Sequence, residues 1–72
     1  MTEQEWRDEF AFRLRKIARS RGYYFQKDWA ELFGLSENTI SRYRNGETTP
    51  DAYTISIIAK TLNCSTDDLI GF

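Results

Sequence analysis

The chain has 72 residues, enough for one small domain (residues 1–72) with a single modest core. With 40% apolar and 15% aromatic residues it should fold rather than stay disordered, and no apolar run approaches a membrane span. A single cysteine, Cys64, and no histidine exclude an internal disulfide and a Cys/His zinc set; the net charge of −1 excludes little until its distribution is known.

In chain order, Thr2 followed by Glu5 is a capping box that opens a first helix. The start Met-Thr-Glu-Gln-Glu is acidic and polar, unlike a signal peptide, and with the unpaired cysteine it predicts a reducing cytoplasm. Trp6, Phe10, Leu14 and Ile17 recur at helical spacing and predict one apolar stripe, flanked by Arg13, Lys16 and Arg19. Gly22 ends this helix near Arg21. Three aromatics, Tyr23, Tyr24 and Phe25, form the connector; one or two should join the core and one should lie on the surface.

A second helix is predicted from about Gln26 to Phe33, with Trp29, Ala30 and Phe33 buried. Gly34 breaks it, because glycine enters the left-handed conformation without steric cost. Leu35 turns inward and Ser36 caps a third helix, Glu37 to about Arg44. That helix should bury Ile40 and Tyr43 and leave Glu37, Asn38, Ser41 and Arg42 outside. A small Ala30 allows the two helices to approach closely. Residues 26–44 therefore fit the packing scheme of a helix-turn-helix. Asn45-Gly46 is a turn signal, and Glu47 to Pro50 a polar loop. Asp51 can cap a fourth helix with a stripe of Ala52, Ile55, Ile58, Ala59 and Leu62, and Tyr53 and Ile57 at its edges. Asn63 should end it. Ser65 with Asp68 is a second capping box, opening a short fifth helix that buries Leu69. No strand pattern competes, so the fold class expected is all-α with five helices.

Charge supports the central segment. Residues 1–9 carry four acids and one base, and residues 45–72 carry four acids and one base. Residues 13–44 carry eight bases and three acids. The basic middle contains the helix-turn-helix, where a polyanion would sit. A catalytic set is hard to assemble without histidine or a Gly-rich phosphate loop, and Asp67-Asp68 reads as helix capping, so no enzyme and no cofactor are expected.

The combination of Gln26, Ala30, Gly34, Ile40-Ser41-Arg42-Tyr43, Asn45-Gly46, Pro50, Ile58-Ala59-Lys60 and Leu62-Asn63-Cys64-Ser65 resembles the lambda-repressor-like, Cro-type helix-turn-helix family over roughly residues 10–70. The resemblance implies a five-helix DNA-binding domain that regulates transcription, most often as a repressor. It also implies a partly palindromic double-stranded operator and a homodimer. Two departures stand out. Gly22 lies four residues before Gln26 rather than three, which puts Phe25 where a Ser or Thr cap is usual. An Arg late in the first helix often pairs with a Glu at the end of the third in that family; here those positions hold Ala18 and Arg44, so both partners are absent together. Arg44 is then free for a phosphate or a nearby acid such as Glu47, whereas burial against Asp28 or Glu31 would remove the phosphate role.

Helix 3 in a major groove makes Glu37, Asn38, Thr39 and Arg42 the base-reading candidates. Gln26, Lys27, Ser41, Arg44, Asn45 and Tyr53 are the phosphate candidates, with the core edge an equal alternative for Tyr53. Ile70 and Phe72 suggest that helix 5 and the tail pair two copies, unless they complete the local core or the chain belongs to a longer protein. The competing function is a helix-turn-helix protein-interaction module, such as an antitoxin or a regulatory partner, which the weak net charge favours.

Overall fold

The computed structural model describes all residues, Met1 to Phe72, as five helices: α1 (Glu3–Ser20), α2 (Gln26–Phe33), α3 (Glu37–Arg44), α4 (Ala52–Thr61) and α5 (Thr66–Ile70). There is no strand. No helix is long and apolar enough to cross a membrane.

Four of the five helices start on a side-chain cap. Thr2, Ser36, Asp51 and Ser65 each accept a hydrogen bond from the amide three residues on, and Thr2–Glu5 and Ser65–Asp68 form complete capping boxes. Each cap satisfies an amide that would otherwise lack an intrahelical partner, worth about 1 kcal/mol. Only α2 lacks one, since Phe25 has no group to offer. At the other end of α2, Gly34 adopts φ +68°, and the amides of Gly34 and Leu35 both reach the Ala30 carbonyl. Asn63, with φ +55°, turns the chain out of α4.

The helices close around Phe10, Leu14, Trp29, Ile40, Ile58, Leu62 and Leu69, all almost fully buried. Trp29 donates its indole N–H to the Tyr23 carbonyl at 2.8 Å, so its one polar atom is satisfied inside. The stripe of α1 is shifted from the sequence expectation: Ala11 and Ala18 are buried, while Trp6 and Ile17 are half-buried. Ala52 is exposed rather than buried, as are Asp51 and Tyr53 on either side of it, and the buried residues of α4 are Ile55, Ile58 and Ala59. Tyr43 is half-buried, and of the connector aromatics only Tyr23 packs on the core, leaving Tyr24 and Phe25 exposed.

The tail folds back on its own domain. Phe72 lies 5.4 Å from the Trp6 ring and 4.8 Å beneath the Arg13 guanidinium, and Trp6 stacks on Phe10 at 6.0 Å. Leu69 is fully buried, and Ile70 and Phe72 are half-buried. Helix α5 runs beside α1, with the Asp67 and Asp68 carbonyls accepting from Arg13, while Arg21 donates to the Leu62 carbonyl at 2.9 Å.

Candidate nucleic-acid interface

Helices α2 and α3 bring their N-termini to one place. The Gln26 side-chain amide donates to the Glu37 carbonyl at 2.8 Å, which ties the first residue of one helix to the first of the other. The backbone amides of Gln26 and Lys27 have no acceptor in the protein, so the start of α2 presents unpaired donors and the positive end of its dipole. Lys27 is exposed and without an acidic partner beside them.

Along α3, the sequence candidates separate into free and engaged groups. Glu37, Asn38 and Arg42 are exposed, and none of their side chains has a hydrogen bond or ion pair within the chain. Thr39 is half-buried; its hydroxyl lies 2.8 Å from the Ser36 hydroxyl, so its methyl is the part left to offer. Ser41 is half-buried and accepts a long contact of 3.4 Å from the exposed Asn45. Tyr53 is 75% exposed near the start of α4, which removes the core-edge alternative.

Arg44 lies against an aromatic ring and not against an acid. Its guanidinium lies 4.7 Å from the centroid of the Trp29 ring, with no ion pair to Glu47, Asp28 or Glu31. In place of the missing Arg–Glu pair, a cation covers an aromatic face and Ala18 is fully buried. The Arg44 carbonyl accepts from the Arg15 guanidinium. Arg15 thus puts a positive charge on the last turn of α3, where the helix dipole is negative. Sequence reading did not single out Arg15. Its position beside the apolar stripe of α1 was the available signal, but its acceptor lies 29 residues away.

The turn after α3 is held from α1. Gly46 has φ +72° and is buried, and a Cβ there would stand 2.6 Å from the Asp8 carboxylate. Gln4 donates both to the Gly46 carbonyl at 3.0 Å and to Asp8 at 2.9 Å. Near this turn, burial and then the Asp51 charge push the Tyr43 phenol up, with Arg42 acting against them. The backbone amide of Thr54 holds the Asp51 carboxyl below the usual carboxylate range.

A short helix opening on Gln26, a glycine turn at Gly34 and a second helix with a free outer face form a helix-turn-helix. The helix-turn-helix family model matches residues 26–69, more than half of the chain. The chain belongs to the lambda-repressor-like, Cro-type helix-turn-helix family. A relative of this helix-turn-helix domain is the HTH-type transcriptional regulator ImmR of Bacillus subtilis (strain 168), 36% identical over 56 residues. That alignment covers 78% of this chain and 44% of the relative, so the chain spans less than half the relative's length. No solved structure matches it at comparable significance. The matched region includes every sequence candidate, since all ten lie between Gln26 and Tyr53.

Proposed function

We propose that this domain binds double-stranded DNA sequence-specifically as a transcriptional regulator, acting as a repressor, with α3 in the major groove. The observation that carries the reading is the outer face of α3. Glu37, Asn38 and Arg42 are exposed and unpaired on a helix whose start is braced by Gln26 and Ser36. In this pose Asn38 pairs with an adenine edge and Arg42 with a guanine edge, while the Thr39 methyl meets a thymine methyl. Glu37 accepts from a cytosine amino group and repels misplaced phosphate. Each bidentate pair supplies roughly 1–3 kcal/mol of discrimination.

Phosphates flank the reading head. One sits at the start of α2, on the free amides of Gln26 and Lys27 and the Lys27 ammonium. Ser41 and Asn45 serve the other strand, with the Tyr53 hydroxyl on the same side. Arg44 belongs to the fold in this reading, because its guanidinium is occupied by Trp29. Two copies would bind one partly palindromic operator, with recognition helices about 34 Å apart.

The test is selection of bound sites from a random duplex pool, repeated with Asn38→Ala and Arg42→Ala. The expected result is an enriched site for the parent chain and loss of preference at one or two base positions in each variant. A pool with no enriched site at any salt concentration overturns the proposal in favour of a protein-binding module, whose binding would show little of the steep salt dependence of a DNA complex.

A further inference from the structure

Helix α1 holds none of the candidate DNA contacts, yet one of its sides runs along the end of α3. Gln4, Asp8 and Arg15 succeed one another at spacings of four and seven, so they share that side. Arg15 holds the Arg44 carbonyl. Gln4 and Asp8 meet the turn that follows. Gly46 is buried there, so close to α1 that a Cβ would stand 2.6 Å from the Asp8 carboxylate and 3.7 Å from the Arg7 carbonyl. With no side chain at this position, the turn lies against the backbone of α1.

One peptide group carries this contact onward. Its carbonyl belongs to Gly46 and its N–H to Glu47. The Gly46 carbonyl accepts from the Gln4 side-chain amide at 3.0 Å, and no other donor in the chain reaches it. The Glu47 N–H donates to the Arg42 carbonyl at 2.9 Å, and the Gly46 N–H to the Tyr43 carbonyl at 3.4 Å, which closes α3 as a glycine C-cap does. Asp8 accepts from the same Gln4 nitrogen at 2.9 Å and so fixes the direction of that amide. The path runs from α1, through Gln4 and the Gly46–Glu47 peptide, to the backbone of Arg42. The start of α3 is held differently. Ser36 accepts from the Thr39 N–H at 3.2 Å and Gln26 donates to the Glu37 carbonyl, so Asn38 sits in a turn with no hydrogen bond from α1.

We propose that Gln4 is a positioning residue for base readout, a role that rests on α3 reading DNA. It sets the Gly46–Glu47 peptide plane, and through it the backbone from which Arg42 extends, without touching the duplex. A guanidinium meets a guanine edge through two parallel hydrogen bonds, so a small turn of its backbone spoils both together. Without Gln4, the carbonyl of the buried Gly46 has no partner in the chain, and the peptide is free to turn toward water. The last turn of α3 then loosens and Arg42 with it, while Asn38 keeps its brace. An ordinary loss of stability acts otherwise. It lowers only the fraction of competent chain, and so weakens binding to every sequence alike.

The test is site selection from a random duplex pool with two variants at Gln4, beside Arg42→Ala and Asn38→Ala. Gln4→Met keeps the side-chain length and loses the donor; Gln4→Lys restores a donor for both the Gly46 carbonyl and Asp8. All are made in the full 72-residue chain, and thermal melts establish that each is folded. Gln4→Met is expected to enrich the parent's site with preference relaxed roughly fivefold at the base pair that Arg42→Ala frees, and unchanged at the one that Asn38→Ala frees. Gln4→Lys is expected to return the parent's profile. In the free protein, hydrogen exchange at the Glu47 amide is expected to quicken by about the same factor in Gln4→Met, while the Thr39 amide, held by Ser36, exchanges as before. An unrelaxed Gln4→Met profile overturns the proposal. So does equal relaxation at both base pairs, or a Gln4→Lys chain that reads like Gln4→Met. A parent chain with no enriched site overturns the DNA reading itself and this role with it, and is told apart because it precedes any change at Gln4.

Discussion

Arg44→Ala separates two roles for the last residue of α3. In the structure its guanidinium covers the Trp29 ring at 4.7 Å, and Trp29 is otherwise 1% exposed. A cation–π contact ranges from about 0.5–1 kcal/mol in the open to about 2 when desolvated. Arg44 is half-buried, so about 1 kcal/mol is appropriate. Truncation also opens part of the indole face to water; roughly 20–30 Å² of apolar surface at 25 cal/mol per Å² adds about 0.5–0.8 kcal/mol. The total, about 1.5–2 kcal/mol, lowers Tm by roughly 6–16 °C for a domain of this size. Arg44→Lys keeps the charge but loses the planar stack, and should fall between the two.

The assay is urea and thermal unfolding, monitored by Trp29 fluorescence in a Trp6→Phe background. The same variants are then carried into DNA binding over a range of salt concentrations. A side chain spent on Trp29 releases no counterions from DNA, so the salt slope of Arg44→Ala should match the parent. A phosphate contact would reduce that slope by about 1. Unchanged stability together with a shallower salt slope would refute the packing role and restore Arg44 to the phosphate set.

The helix caps supply two further outcomes. Phe25→Ser provides the missing acceptor at the start of α2 and should raise stability by about 1 kcal/mol, or Tm by roughly 4–8 °C, in a thermal melt; no gain would show that the cap does not limit α2. The Asp51 and Asp68 carboxyls are held below their ordinary range, each chiefly by the hydrogen bond from a backbone amide, of Thr54 and Ser65 respectively. A depressed native pKa means that the unfolded chain binds the proton more tightly. Their stabilisation is therefore complete above the ordinary carboxylate value of about 3.9 and disappears as the pH falls through the lowered native values. Asp51→Asn with Asp68→Asn should flatten the acid limb of a stability–pH profile, and an unaltered limb would assign acid unfolding to other groups.

The boundaries of α2, α3 and α4 and the turns between them were legible because local chemistry specifies them. Gly34 takes the left-handed conformation, Ser36, Asp51 and Ser65 cap α3, α4 and α5, and Asn63 ends α4 with a positive φ. Helical periodicity also located Phe10, Leu14, Ile40, Ile58 and Leu69 in the core. It failed at Ala52, which has the right phase but stands exposed in the first turn of α4, where the core cover begins only at Ile55. It could not place Phe72, whose partners Trp6 and Arg13 are at the other end of the chain. Arg44 was unreadable for the same reason, because charge alone does not distinguish an aromatic face from a phosphate. Within the candidate site, exposure of Glu37, Asn38 and Arg42 was legible from helix phase. Engagement of Gln26 and Arg44 depends on what stands opposite them, whereas Thr39 is held by Ser36, the cap of its own helix.

These contacts bear on how a helix of eight residues, as α3 is, could serve as a rigid reader in the proposed complex. A helix of that length is marginal alone, since few residues share the cost of nucleation. Here Ile40 anchors its middle in the core, Ser36 and Gln26 fasten its first turn, and Arg15 with the Glu47 amide occupies carbonyls of its last. Every fastening uses the inner side or the ends. The outer side chains keep their freedom but inherit a fixed backbone, so binding costs the ordering of a few rotamers rather than the folding of a helix. The same economy limits affinity. With Arg44 on Trp29 and Arg15 on the α3 carbonyl, Lys27 and Arg42 are the cations left free among the candidate DNA contacts, beside Glu37. A single domain would hold a duplex weakly through phosphates, and most of its selectivity would have to come from base edges. Pairing of two copies would supply the missing strength, because the second domain would then bind at the effective concentration set by the first. A phosphate grip weakens as ionic strength rises, so occupancy of an operator by two such domains should fall more steeply with salt than the binding of one domain to a half-site.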